Sequence, residues 1–224
     1  MIEFFPDETT LAAAAAEATV TALDAGLKAR GQASLIGTGG RSPAPVYDAL
    51  RDAELDWARV TVGLSDDRFL PPASPDSNER LVRERLLQGR AAAAAFLPLY
   101  SSAPDPQACA DVAEPSIRAL APFDMLFLGM GEDGHIASLI PGSPVMEAGL
   151  DPEGGRFVIG IPGDVGSPPV ARISLTLPAL LAARTTLILI RGPLKREIVE
   201  QGSGLPVHRL VKQAKAPLRV LWTP

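Results

Sequence analysis

Short apolar runs alternate along the chain with longer stretches in which apolar residues recur every three or four positions. The runs predict buried strands, and the longer stretches predict helices. The predicted strands cover residues 33–36, 57–64, 94–100, 123–129, 157–161, 172–175, 185–190 and 218–222, of which the third is weakened by Pro98. The predicted helices cover residues 8–30, 43–51, 76 or 77 to 87, 106–120, 178–183 and 194–201, with an interruption near Pro115. Strands that alternate with helices indicate an α/β fold with a mostly parallel sheet and helices on both faces.

Capping residues set the ends of the first two predicted helices. Asp7 is expected to cap the first helix, because a short acidic side chain satisfies free backbone N–H groups. Gly31 is expected to end it, because glycine tolerates the left-handed conformation. Ser42 is expected to cap the second helix, with Pro43 in the first helical position.

Composition and charge narrow the class of protein. The chain has 224 residues, of which 46% are hydrophobic, so we expect one domain, residues 1–224, with a sizeable core. The net charge of -5 argues against nucleic-acid binding, because phosphate backbones attract basic surfaces. The single cysteine, Cys109, excludes an internal disulfide framework. We find neither a secretory signal pattern nor an apolar run near the ~20 residues that span a bilayer, so we expect a cytoplasmic location without membrane association.

The first candidate site is the glycine-rich loop at residues 37–43, between a predicted strand and a predicted helix. Free backbone N–H groups and the helix dipole favour an anion at such a place. The loop offers hydroxyls and a cation beside its glycines, in Thr38, Gly39, Gly40, Arg41 and Ser42. It lacks the Gly-Lys-Ser/Thr ending of a P-loop and the third glycine of a dinucleotide fingerprint. From this loop alone, a phosphate site and an unliganded tight turn carry equal weight.

The second candidate site follows the apolar run 123–129, where three glycines are interspersed with Glu132, Asp133 and His135. Open α/β sheets place their binding crevices at the carboxyl ends of strands. The ordinary pKa of histidine lies near neutrality, which suits a general base. We expect either Asp133 or Asp66, from the neighbouring strand end, to orient the imidazole.

Other uses of the same residues stay open at this point. Asp66, Asp133 and His135 are also a candidate metal site, which is weakened because no His-x-His or Glu-x-x-His spacing supplies a second nitrogen ligand. His135 alone is also compatible with a helix cap or a surface position. For an oxyanion, the backbone N–H groups of Gly39 and Gly131 are the candidate donors.

Charged residues mark further ends of predicted elements. The residues Asp66-Asp67-Arg68 follow a predicted strand. On their own they indicate an ordinary solvated ion pair. That interpretation is weakened because the polar residues 76–78 are expected to return to the same edge of the sheet. Arg172 begins a strand, and Lys195 lies in the first turn of a helix. A cation there opposes the helix dipole, so Lys195 makes better sense beside an anion. The other histidine, His208, is expected to be a surface or partly packed residue.

Five segments, in this order, resemble the 6-phosphogluconolactonase family: residues 36–43, 65–78, 123–142, 172–184 and 192–195. The third is the most specific, because it is similar to the family's signature Gly-Met-Gly-Glu-Asp-Gly-His-x-Ala-Ser-Leu-x-Pro-Gly. The resemblance implies a Rossmann-like fold shared with glucosamine-6-phosphate deaminases and ribose-5-phosphate isomerases.

The resemblance also implies a function. It implies hydrolysis of 6-phospho-D-glucono-1,5-lactone to 6-phospho-D-gluconate in the oxidative pentose phosphate pathway, without a metal or organic cofactor. We expect a small sugar phosphate as the partner and a monomer or weak homodimer as the assembly. His135 matches the family's general base. The family's sugar-phosphate site is matched by Thr38, Gly39, Gly40, Ser42, Arg68, Arg172 and Lys195.

Three positions depart from the family's pattern. Arg41 stands where a small hydroxyl residue is usual, and it either contacts phosphate or points away. Asp67 stands where glutamate is common, and Ile136 where threonine is frequent. The last change resembles the deaminases, whose string reads Asp-Gly-His-Ile-Ala-Phe-Asn-Glu-Pro-Gly. Ile140 occupies the place of the deaminase acid and cannot transfer a proton, so hydrolysis is favoured over deamination. A non-catalytic sugar-phosphate sensor is the other alternative, disfavoured because His135 and its acids are intact.

Overall fold

The computed structural model describes residues 2–224, in which ten strands and eight α-helices are found. The strands are Ile2–Phe4 (β1), Ala33–Gly37 (β2), Val60–Leu64 (β3), Asp66–Arg68 (β4), Ala95–Phe96 (β5), Met125–Gly129 (β6), Val158–Ile161 (β7), Arg172–Leu175 (β8), Thr186–Arg191 (β9) and Leu218–Thr223 (β10). The helices are Glu8–Arg30 (α1), Ala44–Leu50 (α2), Asn78–Arg85 (α3), Pro106–Leu120 (α4), Met146–Gly149 (α5), Leu177–Leu181 (α6), Pro193–Gln201 (α7) and Pro206–Gln213 (α8).

Seven strands form the main sheet in the order β1-β10-β9-β6-β2-β3-β5, and every neighbouring pair is parallel. This confirms the predicted α/β class. The chain runs outward in one direction through β2, β3 and β5, and in the other through β6, β9 and β10. The direction therefore changes between β2 and β6. At such a switch point the loops after the two central strands diverge and leave a crevice.

A second sheet of three antiparallel strands has the order β4-β8-β7. The strands predicted at 157–161 and 172–175 were expected in the mostly parallel sheet, but β7 and β8 lie in this antiparallel sheet instead. A single residue, Ser65, separates the end of β3 from the start of β4, so the second sheet starts at the carboxyl edge of the main sheet. Its register pairs Arg68 with Arg172 and Asp66 with Ser174.

The helix α1 has the predicted ends. The Asp7 carboxylate accepts a hydrogen bond from the Thr10 N–H at 2.7 Å. Gly31 has φ 73° and donates its N–H to the Leu27 carbonyl, as a left-handed C-terminal residue does. The buried face of the helix includes Leu11 and Leu23, and several alanines allow close approach to its neighbours.

Two predicted strands are shorter than expected. Residues 57–59 form a 3-10 turn before β3, in which the buried Trp57 donates its indole N–H to the Ala53 carbonyl at 3.0 Å. The expected strand 94–100 is reduced to the two residues of β5. The proline at position 98 has no N–H to donate to a neighbouring strand, which accounts for the early end.

Two predictions about helices are wrong. Ser42 does not cap α2, because Pro43 precedes the helix and no side chain caps it. Pro115 does not interrupt α4, which continues through it. The proline removes one hydrogen bond, whereas a buried face that includes Cys109 and Ile117 holds the helix on both sides of it.

Four elements were not predicted: β1, β4, α5 and α8. Elsewhere the predicted ends lie within a few residues of the observed ones. Within residues 2–224, no helix has the length and apolar character needed to cross a membrane.

Candidate active site

A cavity of about 510 Å³ opens at the carboxyl edge of the main sheet. It lies at the switch point, between the loops that follow β2 and β6, with β4, β8 and the start of α7 completing its wall. Its lining includes nearly all of the predicted site residues: Thr38, Gly39, Gly40, Arg41, Ser42, Asp66, Arg68, Gly131, His135, Arg172 and Lys195. The structure thus brings together side chains that are far apart in the sequence, because parallel strands present their carboxyl ends at one edge.

His135 and Asp133 form a hydrogen-bonded pair in the loop after β6. The imidazole Nδ1 lies 2.6 Å from Asp133 Oδ1. A carboxylate can only accept, so Nδ1 carries the proton and Nε2 has the free lone pair. The bond to His135 lowers the pKa of Asp133, with partial burial opposing. With its side chain 29% exposed, His135 can be reached by water from the cavity.

Gly131 makes room for this pair. A Cβ at position 131 would lie 2.2 Å from His135 Nδ1 and 2.5 Å from Asp133 Oδ1, so any other residue would push the two side chains apart. The N–H of Gly131 donates to the His135 carbonyl at 3.0 Å. This bond engages the donor and removes Gly131 from the two oxyanion candidates, which leaves Gly39.

The glycine-rich loop after β2 is held by Tyr47. The buried Tyr47 hydroxyl accepts from the Thr38 N–H at 2.8 Å and donates to the Thr38 carbonyl at 2.7 Å. Burial raises the pKa of Tyr47, so the hydroxyl keeps its proton. The N–H groups at positions 39–42 have no hydrogen-bond partner in the part of the chain that the structure describes. These residues line the cavity, and their unpaired donors suit an anion.

Asp66 is bonded to serines and not to His135. Its Oδ2 accepts from Ser138 Oγ at 2.5 Å, and its Oδ1 accepts from Ser65 Oγ at 3.3 Å. The Ser138 N–H in turn donates to Ser174 Oγ at 3.1 Å. Between the two candidate partners of His135, the geometry therefore selects Asp133. Asp66 lines the cavity as a separate carboxylate.

The buried Asp67 fixes the start of α3 next to the cavity. It accepts hydrogen bonds from the N–H groups of Arg68, Asn78 and Glu79 at 2.7, 2.6 and 3.0 Å. Burial raises the pKa of Asp67 to about 6, and the three N–H donors oppose this rise. The aspartate that stands in place of the family's usual glutamate thus caps a helix.

Asn78 is a site residue that the sequence analysis did not assign. Its Nδ2 donates to the Asp66 carbonyl at 2.9 Å, and its Oδ1 accepts from Arg68 Nη1 at 2.7 Å. It also presses against the glycine-rich loop, because a Cβ at Gly39 would lie 1.9 Å from Asn78 Oδ1. The signal available in the sequence was the polar string 76–78, returning to the edge that carries Asp66.

Two arginines of the second sheet have unused donors. Arg172 is 4% exposed and donates to the Pro168 carbonyl, while the buried Nε atoms of Arg68 and Arg172 have no partner within residues 2–224. Burial lowers the pKa of Arg172, and Arg68 lowers it further, whereas Asp66 raises it. Buried donors without partners are costly, so their position beside a cavity favours an anionic ligand.

Lys195 lies in the first turn of α7 and lines the cavity. Burial lowers its pKa, Glu132 opposes that effect and Arg41 adds to it. Neither Lys195 nor Arg41 forms an ion pair with any residue from 2 to 224. The cavity therefore carries two cations that form no ion pair within the described residues.

The fold and the site define an α/β protein in which a histidine–carboxylate pair shares a cavity with an anion-binding loop. Residues 6–222 match the model of the family described as glucosamine-6-phosphate isomerases/6-phosphogluconolactonase. The chain belongs to this family.

Individual relatives agree with that placement. The chain is 39% identical to a 6-phosphogluconolactonase of Caulobacter vibrioides over 223 residues, which are 99% of this chain and 96% of the relative. It superposes on the crystal structure of a 6-phosphogluconolactonase from Shewanella baltica with a TM-score of 0.94 at 31% identity, covering 100% of this chain and 97% of that one. A monomeric glucosamine-6-phosphate deaminase, at 19% identity and a TM-score of 0.80 over 99% of this chain and 96% of its own, shares the fold.

Proposed function

We propose that this protein hydrolyses 6-phospho-D-glucono-1,5-lactone to 6-phospho-D-gluconate in the oxidative pentose phosphate pathway, with His135 as the general base. The observation that carries the mechanism is the His135–Asp133 pair, which shares one cavity with free N–H donors and unpaired cations. The 39% identity with a named 6-phosphogluconolactonase over nearly the whole chain supports the substrate.

The substrate phosphate binds the glycine-rich loop. The N–H groups at positions 40–42 donate to phosphate oxygens, and the Ser42 hydroxyl lies beside them. Lys195, Arg41 and Arg172 supply positive charge, since charge-assisted contacts are the strong ones. With the phosphate fixed at one end, the lactone ring reaches towards the loop after β6.

His135 then performs the proton transfers. Its Nε2 takes a proton from a water molecule, whose oxygen attacks the C1 carbonyl carbon. The N–H of Gly39 stabilises the oxyanion, and Asp133 stabilises the imidazolium. The C1–O5 bond breaks as the imidazolium returns the proton to O5, which yields the open-chain acid. A positioned acid–base group contributes about 10²–10⁴-fold, and no serine in a Gly-x-Ser-x-Gly elbow supports a covalent route.

The location and assembly are part of the proposal. A sugar-phosphate substrate and a single cysteine fit the cytoplasm, and a monomer or weak homodimer is expected. Light scattering of the eluting protein during size-exclusion chromatography measures the assembly, and a stable larger oligomer would contradict it.

The decisive experiment compares hydrolysis of fresh lactone with the spontaneous rate. His135→Ala should abolish turnover while 6-phosphogluconate binding stays within about threefold. Lys195→Ala should mainly raise KM. If His135→Ala keeps near-normal turnover, the base assignment fails. If the unmodified protein deaminates glucosamine 6-phosphate and leaves the lactone untouched, the whole proposal fails.

A further inference from the structure

The second histidine, His208, has no part in the proposed proton transfers and bridges the helices α8 and α7. It lies in the first turn of α8, where its Nδ1 is 3.3 Å from the N–H of Leu205. Its Nε2 is 2.8 Å from the carbonyl of Ile198 in α7. His208 was expected to be a surface or partly packed residue, and it is part-buried with both ring nitrogens engaged.

These two contacts define the protonation state of the ring. A carbonyl oxygen only accepts, so Nε2 carries the proton, and a backbone N–H only donates, so Nδ1 offers its lone pair. One neutral tautomer satisfies both partners. Gly202 leaves space for the bridge, because a Cβ there would lie 2.5 Å from His208 Cε1.

The start of α8, which carries His208, is held in place by contacts with the loop that follows β6. Its buried Val207 donates its N–H to the Gly134 carbonyl at 3.1 Å, in the same loop as His135. Leu205 packs against that loop so closely that a Cβ at Gly134 would lie 2.6 Å from Leu205 Cδ1. The start of α8 is therefore bound to the loop after β6, which contains His135.

The helix α7 carries Lys195 and is less buried than α8, in which Pro206, Val207 and Leu210 are buried. None of its residues is buried. At its start, the Gly192 N–H donates to the Thr223 carbonyl at 2.9 Å, and Gly192 is followed at once by the helix. At its end, the Ile198 carbonyl accepts the His208 bond one helical turn after Lys195. The partly buried Ile198 and Val199 also pack against the core, and the Arg196 guanidinium lies 4.8 Å from the centre of the Trp222 ring. The His208 bond is the contact that joins α7 to α8.

We propose that His208 is a positioning residue that fixes α7, and so places the Lys195 ammonium in the phosphate site. The loop after β6 holds the start of α8 through the bond from Val207 to Gly134. The bond from His208 Nε2 to Ile198 in turn holds α7, which carries Lys195, against α8. This inference rests on the proposed role of Lys195 in binding the substrate phosphate.

Two substitutions each remove one of the two hydrogen bonds of the imidazole ring and keep the other. In His208→Asn, the amide oxygen takes the place of Nδ1 and still accepts from Leu205, but the side chain is too short to reach Ile198. In His208→Gln, the amide nitrogen takes the place of Nε2 and keeps the Ile198 bond. We expect His208→Asn to raise KM about 3- to 10-fold with kcat within about twofold, which is the range that one lost hydrogen bond allows. His208→Gln should keep KM within about twofold.

Thermal unfolding shows whether a change in KM comes from the position of α7 or only from a loss of overall stability. Each variant loses one hydrogen bond, so both midpoints should fall by similar amounts, while only His208→Asn changes KM and the dissociation constant of 6-phosphogluconate. If KM rises equally in both variants, or in neither, the proposal is overturned.

A double-mutant cycle tests the link to Lys195. In the Lys195→Ala background, adding His208→Asn should leave KM unchanged, because the cation to be positioned is gone. An equal rise of KM in both backgrounds would overturn the inference. If Lys195→Ala raises KM and His208→Asn does not, only the positioning role fails. If Lys195→Ala leaves KM unchanged, the phosphate role of Lys195 fails and the inference fails with it.

Discussion

The close contact between Gly39 and Asn78 predicts that Gly39→Ala lowers the stability of the protein. A Cβ added at position 39 would lie 1.9 Å from Asn78 Oδ1 and 2.3 Å from its Cγ. Asn78 is 3% exposed and cannot turn away without losing its bonds to Arg68 and to the Asp66 carbonyl. Gly39→Ala must therefore displace the asparagine and break its bond to Arg68, whose Nη1 keeps its bond to the Asp76 carbonyl at 2.7 Å.

The cost follows from those two bonds. A neutral hydrogen bond contributes about 0.5–1.5 kcal/mol and one to a charged group about 1.5–3 kcal/mol, so their loss costs about 2–4 kcal/mol. The reduced entropy of the unfolded chain returns up to about 1 kcal/mol. The net loss of roughly 1–4 kcal/mol corresponds to a fall of about 2–16 °C in the unfolding midpoint, at about 2–4 °C per kcal/mol for a chain of this size.

The assay is thermal or urea unfolding of Gly39→Ala in the native and the Asn78→Ala backgrounds. Removal of the asparagine side chain removes the obstacle, so Gly39→Ala should cost nothing in the second background. Gly40→Ala is the matched control. Gly40 has φ 95° with no atom near its Cβ position, so its cost of about 1–2 kcal/mol comes from the backbone and should be equal in both backgrounds. An undiminished cost of Gly39→Ala in the Asn78→Ala background would refute the steric argument.

Three further predictions concern catalysis, charge and packing. Asp133→Asn should lower kcat for the lactone about 10- to 1000-fold, with KM within about threefold, because the wrong tautomer of His135 is then favoured; a loss of kcat below threefold would remove the orienting role. Burial lowers the pKa of Lys195, so the free protein loses this positive charge at a lower pH than an ordinary lysine does. The affinity for 6-phosphogluconate, followed by calorimetry as the pH rises towards 10, should therefore weaken, whereas Lys195→Arg should stay flat; identical profiles would contradict the phosphate role. Gly160→Ala would bring a Cβ to 2.4 Å from the Gln107 nitrogen in α4, while Gly155→Ala meets no atom within 4 Å. The first should lower the stability by about 1–3 kcal/mol and the second should leave the unfolding midpoint nearly unchanged, and equal midpoints would show that the packing of α4 is not tight.

Elements that are buried along their whole length could be predicted from the sequence. The run at 185–190 differs by one residue from the observed β9, because its apolar and β-branched residues identify a central strand. The strand β4 could not be found in this way. It consists of Asp66, Asp67 and Arg68, and only its pairing with β8 makes it a strand.

The sequence of α8 has two features that are typical of a helix. Pro206 stands in its first position, and the apolar residues Val207, Leu210 and Val211 follow at helical spacing. These eight residues are too few for periodicity alone to be decisive, since short helices depend on tertiary packing. Missing α8 also hid the role of His208, whose partner Ile198 belongs to the preceding helix.

The membership of the candidate site was largely predictable, whereas its internal pairing was not. The loops at the carboxyl ends of parallel strands meet at one edge, so Gly39, Asp66 and His135 were expected to be neighbours. Which carboxylate contacts His135 depends on distances of a few ångströms within a loop. The hydrogen bond of the Gly131 N–H to the His135 carbonyl is likewise set by the turn that the loop adopts.

The distinction between hydrolysis and deamination depends on two positions of one segment. Ile140, in place of the deaminase acid, is 3% exposed and offers no group for proton transfer. Ser138, where the deaminase string has phenylalanine, donates its hydroxyl to Asp66 at 2.5 Å. The first change removes one proton carrier, and the second engages an oxygen of a carboxylate that lines the cavity. The proposed hydrolysis needs one base with a free lone pair, for which His135 is the proposed residue. Both changes are therefore compatible with hydrolysis, and the absence of an acid at position 140 is unfavourable for moving protons between sugar carbons.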